Sequence, residues 1–382
     1  MKKLIFGICA AAAIFMVGCS KDASTGEVPA SNAIEFSTYL GRDVQKRSVI
    51  LGNTNLLKFG VFASYTKDEL WDEEDGFNFM FNQLVEKKNG AWDYSPKKYW
   101  PTKKGEKISF WAYAPYATNS SAISVVSDNE DKGVPVIKYT INDITKAEDF
   151  TAATLMNQVK TAPSNGSDPV VYTDPDGSTR TVEFSLKHEL TRVNIQAKLD
   201  KAVAGETTVN IKSIEFNGDA LVTDGTYTFP AATGARGTWA LGTKGAITVD
   251  PLMAKVTPSL GGYVTPGIPL SNTTPVPVFN TDKYLFLIPP GGETGTSAAG
   301  KIKVKITYDI VTVDPALKDG HSVSTAVKEI DLPAGTLKQG TAYLYTLTFY
   351  TNEIVLSASV EGWGAEVGED DNVDWNDVDV DA

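Results

Sequence analysis

The feature that most constrains the fold is a series of short runs in which apolar and polar residues alternate. These runs recur from residue 33 to residue 363 with Gly, Pro, Asn or Asp between them, a pattern typical of β-strands and turns. The longest run spans residues 181–199, and its apolar phase slips near Thr191, which predicts a bulge or kink. Residues 146–160 are the exception and predict one short helix. The sequence therefore predicts an all-β protein.

The length of the chain, 382 residues, is enough for two domains that each bury a core. We place these domains at residues 48–203 and 204–360. A formal net charge of −12 argues against nucleic acid as a partner, because phosphate binding needs a basic surface. The two cysteines, Cys9 and Cys19, precede both domains, so neither domain has a disulfide or a thiol nucleophile.

The sequence contains no recognisable catalytic motif. Patterns such as GxSxG, HExxH and CxxC are missing. The only histidines are His188, which we expect to point inward as a structural residue, and His321, and without cysteine they make a poor zinc site. We therefore predict a protein that is not an enzyme, with no catalytic residue, no cofactor and no metal site.

The first 18 residues have the composition of a secretory signal peptide. A basic start is followed by an apolar stretch, residues 4–17, that is shorter than the roughly 20 residues of a membrane span. The next residue is a cysteine, and Met16-Val17-Gly18-Cys19 resembles a bacterial lipobox, in which the cysteine is acylated and becomes the new N-terminus. We predict that Cys19 is lipidated and anchors the chain to a membrane. An ordinary secretory signal with an incidental cysteine is the alternative.

Residues 19–47 form a leader that contains a strand and a basic segment. In residues 33–40 (AIEFSTYL), Ile34 and Phe36 alternate with polar residues, which predicts the first strand. Arg42, Lys46 and Arg47 follow in a polar stretch suited to a trypsin-like protease. We favour cleavage between Arg47 and Ser48, because a cut at Arg42 removes the first strand but leaves the charged residues DVQKR (43–47) on the mature end. Arg42 and Lys46 are the alternative cut sites.

The C-terminal segment, residues 361–382, holds nine acidic residues and no Lys or Arg. One interpretation is a solvated tail. Its apolar residues instead alternate with aspartate, a pattern suited to docking as a strand, and these donor-strand residues are Val373, Trp375, Val378 and Val380. Cation binding by Asp377, Asp379 and Asp381 is a further alternative.

Several segments together resemble fimbrillins, the lipoprotein-derived, protease-activated (type V) pilus subunits. The lipobox is followed by KYWP (98–101), ISFWAYAPY (108–116), FSLKHELTRVNIQAKL (184–199), KYLFLIPP (283–290) and AYLYTLTFYTNEIVLSASVEGW (342–363). The resemblance implies two transthyretin-like β-sandwich domains in tandem. It also implies a precursor held in outer-membrane lipid through Cys19 and cut by a trypsin-like surface protease. Polymerisation would then follow by donor-strand exchange with other copies of the chain and related pilins.

The alternative function is a permanently anchored surface adhesin, tip subunit or glycan-binding lipoprotein that is never cut. Its sugar platform would be built from the aromatic residues Trp92, Tyr94, Tyr99, Trp100, Trp111, Tyr113 and Tyr116. Aromatic residues at strand spacing more often pack in a core. The basic segment and the alternating tail favour the structural pilin, a subunit of a fimbria with a role in adhesion.

Overall fold

The computed structural model describes residues 33–40, 50–101, 103, 105–159, 181–204, 207–280, 283–293, 301–333, 337–350 and 352–361. Strands dominate these ranges, and the only helical pieces described are the 3-10 turns Ala117–Asn119, Ile144–Lys146 and Asp250–Leu252. The prediction of an all-β protein is therefore confirmed. No helix in the described ranges is long and apolar enough to cross a membrane.

The strands of the first part of the chain are β1 (Glu35–Tyr39), β2 (Lys58–Thr66), β3 (Met80–Lys88), β4 (Ala91–Asp93), β5 (Lys107–Ala114), β6 (Ile123–Val125), β7 (Val136–Thr140), β8 (Thr151–Gln158), β9 (Thr181–Ser185), β10 (Lys187–His188) and β11 (Thr191–Leu199). Those of the second part are β12 (Thr208–Asn217), β13 (Asp224–Thr228), β14 (Thr238–Leu241), β15 (Ile247–Thr248), β16 (Ile268–Leu270), β17 (Val276–Pro277), β18 (Leu285–Leu287), β19 (Lys301–Val313), β20 (His321–Pro333), β21 (Ala342–Phe349) and β22 (Ile354–Glu361).

The N-terminal part is built around a six-stranded sheet of order β10-β8-β5-β2-β3-β4. Its central strands carry apolar side chains on both faces, and every residue of β5 is buried. On one face Phe59 and Phe110 pack with β1 and β9, and on the other Phe62 and Trp111 pack with β7 and β13. The sheet is therefore the middle layer of three, which explains why its strands read as nearly continuous apolar runs.

The C-terminal part is a pair of sheets with one core between them. One sheet has the order β17-β11-β21-β22, with β18 also on β11, and the other has the order β15-β12-β19-β20, with β16 also on β12. Apolar side chains of both sheets, among them Ile195, Ile211, Ile306 and Leu347, form one buried cluster. This packing is that of a β-sandwich.

One sheet joins strands that are distant in sequence. Its order is β14-β13-β7-β6, so it pairs residues 123–140 with residues 224–241. Strand β11 lies before residue 203 and packs in the core of the C-terminal sheets. The boundaries of the domains 48–203 and 204–360 remain a prediction.

The structure corrects the helix predicted in residues 146–160. Residues Thr151–Gln158 form β8, paired with β5 on one side and β10 on the other. Its Ala, Leu and Met residues favour a helix when considered alone, but burial on both faces of a sheet overrides that local preference.

The long strand predicted for residues 181–199 is also divided. The chain forms β9, β10 and β11, which belong to three different sheets. One break lies at Leu186, and the other lies at Glu189 and Leu190, next to the predicted slip at Thr191. The slip in apolar phase therefore marks a change of sheet and not a bulge within one strand.

The aromatic residues lie mostly in the core. Tyr94, Trp100, Trp111 and Tyr113 are buried, in two clusters on opposite faces of the six-stranded sheet, and Tyr99 is exposed. Among them, Trp92 lies in the short strand β4, which ends at Asp93, and Pro96, which has no N–H to donate, lies in the segment that follows. This arrangement does not form a common platform for a sugar.

Candidate assembly groove

The first strand occupies a groove on one face of the six-stranded sheet. β1 pairs in parallel with β9, from Glu35 opposite Thr181 to Tyr39 opposite Ser185, and the two strands form a sheet of their own. Two-stranded sheets are marginally stable alone. The position of β1 therefore depends on the packing of its side chains in the groove, which we call the β1 groove and define by Phe59, Tyr94, Phe110, Val182 and Phe184.

One face of the first strand points into the groove. Ile34, Phe36 and Leu40 are 0%, 6% and 7% exposed, whereas Tyr39 on the other face is 48% exposed. The ring of Phe36 lies 5.2 Å from that of Tyr94, measured between centroids. It also contacts the rings of Phe59, Phe110 and Phe184 at centroid distances of 6.2, 6.1 and 5.7 Å. Phe36 thus fills an aromatic pocket.

Hydrogen bonds fix the start of the strand. The Ile34 N–H donates to the Lys98 carbonyl oxygen at 2.9 Å, and the Tyr94 hydroxyl donates to the Ile34 carbonyl oxygen at 2.9 Å. Burial raises the pKa of Tyr94 to about 12. The hydroxyl therefore stays protonated and able to donate throughout the physiological pH range.

The end of the strand is held in the same way. The Leu186 N–H donates to the Tyr39 carbonyl oxygen at 2.8 Å, and the Leu40 N–H donates to Asn53 Oδ1 at 2.9 Å. These contacts of Tyr94, Lys98 and Asn53 were not predicted, because nothing in the sequence signals which distant side chains meet the ends of a strand. The partner strand β9 was likewise not identified in advance.

The segment that follows the first strand connects two different cores. Leu40 packs in the cluster that contains β1 and β9, whereas Ile50 packs in the cluster on the opposite face of the six-stranded sheet. The predicted cleavage site, Arg47 and Ser48, and its alternatives, Arg42 and Lys46, lie in residues 41–49, outside the described residues. The lipidation residue Cys19 and the donor-strand residues Val373, Trp375, Val378 and Val380 also lie outside them.

A cluster of polar side chains lies where the chain passes from β10 to β11. His188 Nδ1 is 2.7 Å from Asp149 Oδ2, and the Asp149 side chain is fully buried. The next residue, Glu189, is 1% exposed and lies 3.3 Å from Arg236 Nη1. Burial raises the pKa of Glu189 to about 7 although Arg236 and a bond from Gln339 oppose the rise. The contact of His188 with the buried Asp149 carboxylate agrees with the structural role expected for this histidine.

The described residues contain no group of three or more His, Cys, Asp or Glu side chains that could hold a metal ion. The feature with the most distinctive geometry is instead an apolar strand seated in a groove. Backbone hydrogen bonds and alternate side-chain pockets hold this strand, the same interactions that bind an added strand in β-augmentation. The site is therefore an apolar groove that the chain's own first strand fills in the described structure.

Comparison with known proteins identifies the family of the chain. The sequence profile of the fimbrillin-like family matches residues 52–363, so the chain belongs to this family. It is 28% identical to the fimbrium subunit Fim1C of Phocaeicola vulgatus over 95% of this chain and 97% of that protein. The crystal structure of a fimbrial protein from Bacteroides vulgatus superposes with a TM-score of 0.68, at 25% identity, covering 87% of this chain and 99% of that one.

Proposed function

We propose that the protein is a structural pilin of an adhesive cell-surface fimbria, made as a lipidated precursor and polymerised by donor-strand exchange. The observation that carries the proposal is the first strand. It is inserted in the β1 groove by Ile34, Phe36 and Leu40, and a segment rich in basic residues follows it directly. A strand next to a protease site is suited to removal and replacement.

The free energy lost when β1 leaves the groove favours the binding of another strand there over a groove that stays empty. Withdrawing three large apolar side chains forfeits about 1.5–3 kcal/mol for each, or roughly 5–9 kcal/mol together. A typical domain has a free energy of unfolding of only about 5–15 kcal/mol. Removal of β1 also leaves β9 without the strand that pairs with it in the described structure. An emptied groove therefore strongly favours the binding of another strand.

The processing route follows from the sequence around the first strand. The lipid on Cys19 holds the precursor in the outer membrane, and hydrolysis of the Arg47–Ser48 bond by a trypsin-like protease releases the subunit. The removed residues 1–47 carry six basic and four acidic residues, so the formal net charge changes from −12 to −14. A cut at Arg42 would instead leave Lys46 and Arg47 on the mature chain.

The donor strand comes from the acidic C-terminal segment of another copy or of a related pilin. Val373 and Trp375 share one face of a continuous strand, and Val378 and Val380 share the opposite face, because side chains alternate with a period of two. The aromatic lining of the β1 groove suits Trp375, which takes the place of Phe36. Val378 and Val380 then face outward unless a bulge interrupts the strand.

This contact produces a filament because the groove and the donor segment are different surfaces of one subunit. Heterologous contacts that do not close into a ring propagate as an open assembly. The alternative, a permanently anchored adhesin or glycan-binding tip lipoprotein, would keep β1 in its groove on the mature protein.

The test is an Arg47→Ala variant in cells that produce the full chain, with Arg42→Ala as the matched control. We expect Arg47→Ala to accumulate a lipidated, full-length, monomeric precursor, whereas Arg42→Ala assembles normally. Electrophoresis of sheared surface filaments and of membrane fractions gives the result. Normal filaments from Arg47→Ala, or their loss only with Arg42→Ala, would show that this assignment of the cut is wrong.

A further inference from the structure

Strand β20 presents a long open edge. It is 13 residues long and lies at the end of its sheet, paired with β19 from Pro333 opposite Lys301 to His321 opposite Val313. No strand of the described chain pairs with its other edge. At roughly 3.4 Å per residue, this edge is about 44 Å long. Open edges attract further strands unless charge, proline or a bulge blocks them.

The first half of this edge has none of these protections. No Lys, Arg, Asp, Glu or Pro occurs between His321 and Val327, and β20 keeps a continuous register with β19. Val323 and Val327 are 45% and 57% exposed on the same face of the strand. The intervening residues on the other face, Ser324 and Ala326, are small. A neighbouring strand can therefore approach without a steric or charge penalty.

The sequence of this edge is complementary to itself in the antiparallel direction. If Thr325 lies opposite Thr325 of a second copy, Val323 lies opposite Val327 and His321 lies opposite Glu329. The apolar pair and the threonine pair are of the kinds that stabilise neighbouring strands. His321 and Glu329, which contact the Asp319 carbonyl oxygen and Lys303 in their own chain, set no like charges against each other. Moving the axis by one residue, to Ala326, would instead set Val323 opposite Glu329. The register centred on Thr325 is therefore better matched than that one.

We propose that β20 is a lateral docking edge at which two copies of this chain pair antiparallel about a two-fold axis at Thr325. Such an isologous contact closes on itself and does not lengthen a filament. If the proposed fimbrial function holds, the edge joins fimbriae side by side. One pairing of about nine residues is a small contact, and its strength comes from the many copies along two adjacent filaments.

Cysteine cross-linking of the purified full chain tests the pairing without requiring polymerisation. Both native cysteines are first changed to serine, so that any disulfide involves the introduced residue. A mixture of the Val323→Cys and Val327→Cys chains should form the mixed disulfide about tenfold faster than either chain forms its own, because opposed Cβ atoms lie within bonding reach and positions four residues apart do not. Thr325→Cys should cross-link with itself.

Val256→Cys is the control for random collision, since Val256 is 53% exposed and lies outside β20. Its rate should match the slow rate of Val323→Cys alone. Equal rates for all combinations, or no disulfide above the control in the mixture, would overturn the proposal. Cross-linking that appears only after truncation at Trp363 would also overturn it, because the C-terminal segment would then be the occupant of this edge.

Discussion

At the scale of single residues, Phe36 determines how firmly the first strand is held. It alone touches four aromatic rings of the β1 groove. Ile34 and Leu40 extend the same buried face, whereas Tyr39 points to solvent. The two faces of one short strand therefore offer a matched pair of substitutions.

We expect Phe36→Ala to lower the free energy of unfolding of the full chain by about 3–5 kcal/mol, because the removed ring leaves a cavity in a packed core. Tyr39→Ala, on the exposed face of the same strand, should change it by no more than about 0.5 kcal/mol. Urea unfolding of both variants measures the difference. Equal effects would mean that β1 is not seated in the groove by this face.

The buried carboxyl group of Glu189 should make the stability of the protein depend on pH. Its pKa is about 7 in the folded protein and 4.5 without perturbation, so the folded state binds this proton more tightly. The contribution of Glu189 to stability is therefore fully present below pH 4.5 and is lost as the pH rises through about 7. Glu189→Gln should remove this decline in the urea midpoint.

The control for this prediction is Glu293→Gln. Glu293 lies 3.9 Å from the same Arg236, but its side chain is 62% exposed, so its charge is not desolvated. This variant should keep the pH dependence of the native chain. An unchanged pH profile in Glu189→Gln would contradict the role given to burial at this site.

At the scale of secondary-structure elements, alternation identified the first strand because only one of its faces is buried. The Thr151–Gln158 segment, β8, is buried on both faces, as β5 is, so it has no alternation to detect. Of the two strands that pair at the groove, the sequence predicted the first strand but not its partner. The strand of residues 33–40 was identified, but its pairing with β9 joins residues 146 positions apart, and no local pattern encodes such a partner.

The donor strand is the element whose removal tests assembly. Truncation after Trp363 ends the chain just beyond β22, whose last residue is Glu361. We therefore expect a folded monomer that cannot polymerise, since the described buried clusters are built from residues before the tail. Circular dichroism of the truncated precursor, which keeps β1, measures folding, and size-exclusion chromatography after processing measures polymerisation. Polymer ladders from the truncated chain would contradict strand donation by this segment.

Single substitutions in the tail test which of its faces enters the groove. Trp375→Asp should abolish polymerisation, because a carboxylate would be buried among aromatic rings without a partner. Val380→Asp should leave most of it intact, since this side chain is on the opposite face. If the second variant is the more damaging, Val378 and Val380 are the residues that dock.

At the scale of the whole molecule, the groove and the β20 edge are separate surfaces with different symmetry. In the assembly that we propose, the β1 groove receives a segment of another subunit, which extends a filament, whereas the β20 edge pairs with its own copy, which limits that contact to pairs. The all-β class and the family were accessible from sequence because they depend on patterns along the chain. The layering of the sheets depends on pairings such as β7 with β13, between residues 136–140 and 224–228, which only the structure gives.

The central claim is that the first strand is removed before the subunit assembles. The most direct measurement is the N-terminal residue of subunits recovered from sheared surface fimbriae, determined by mass spectrometry of the intact chains. The account predicts a chain that begins at Ser48 and lacks residues 33–40. A subunit that begins at Asp43 would place the cut at Arg42, and one that retains Ile34 and Phe36 would contradict strand replacement altogether.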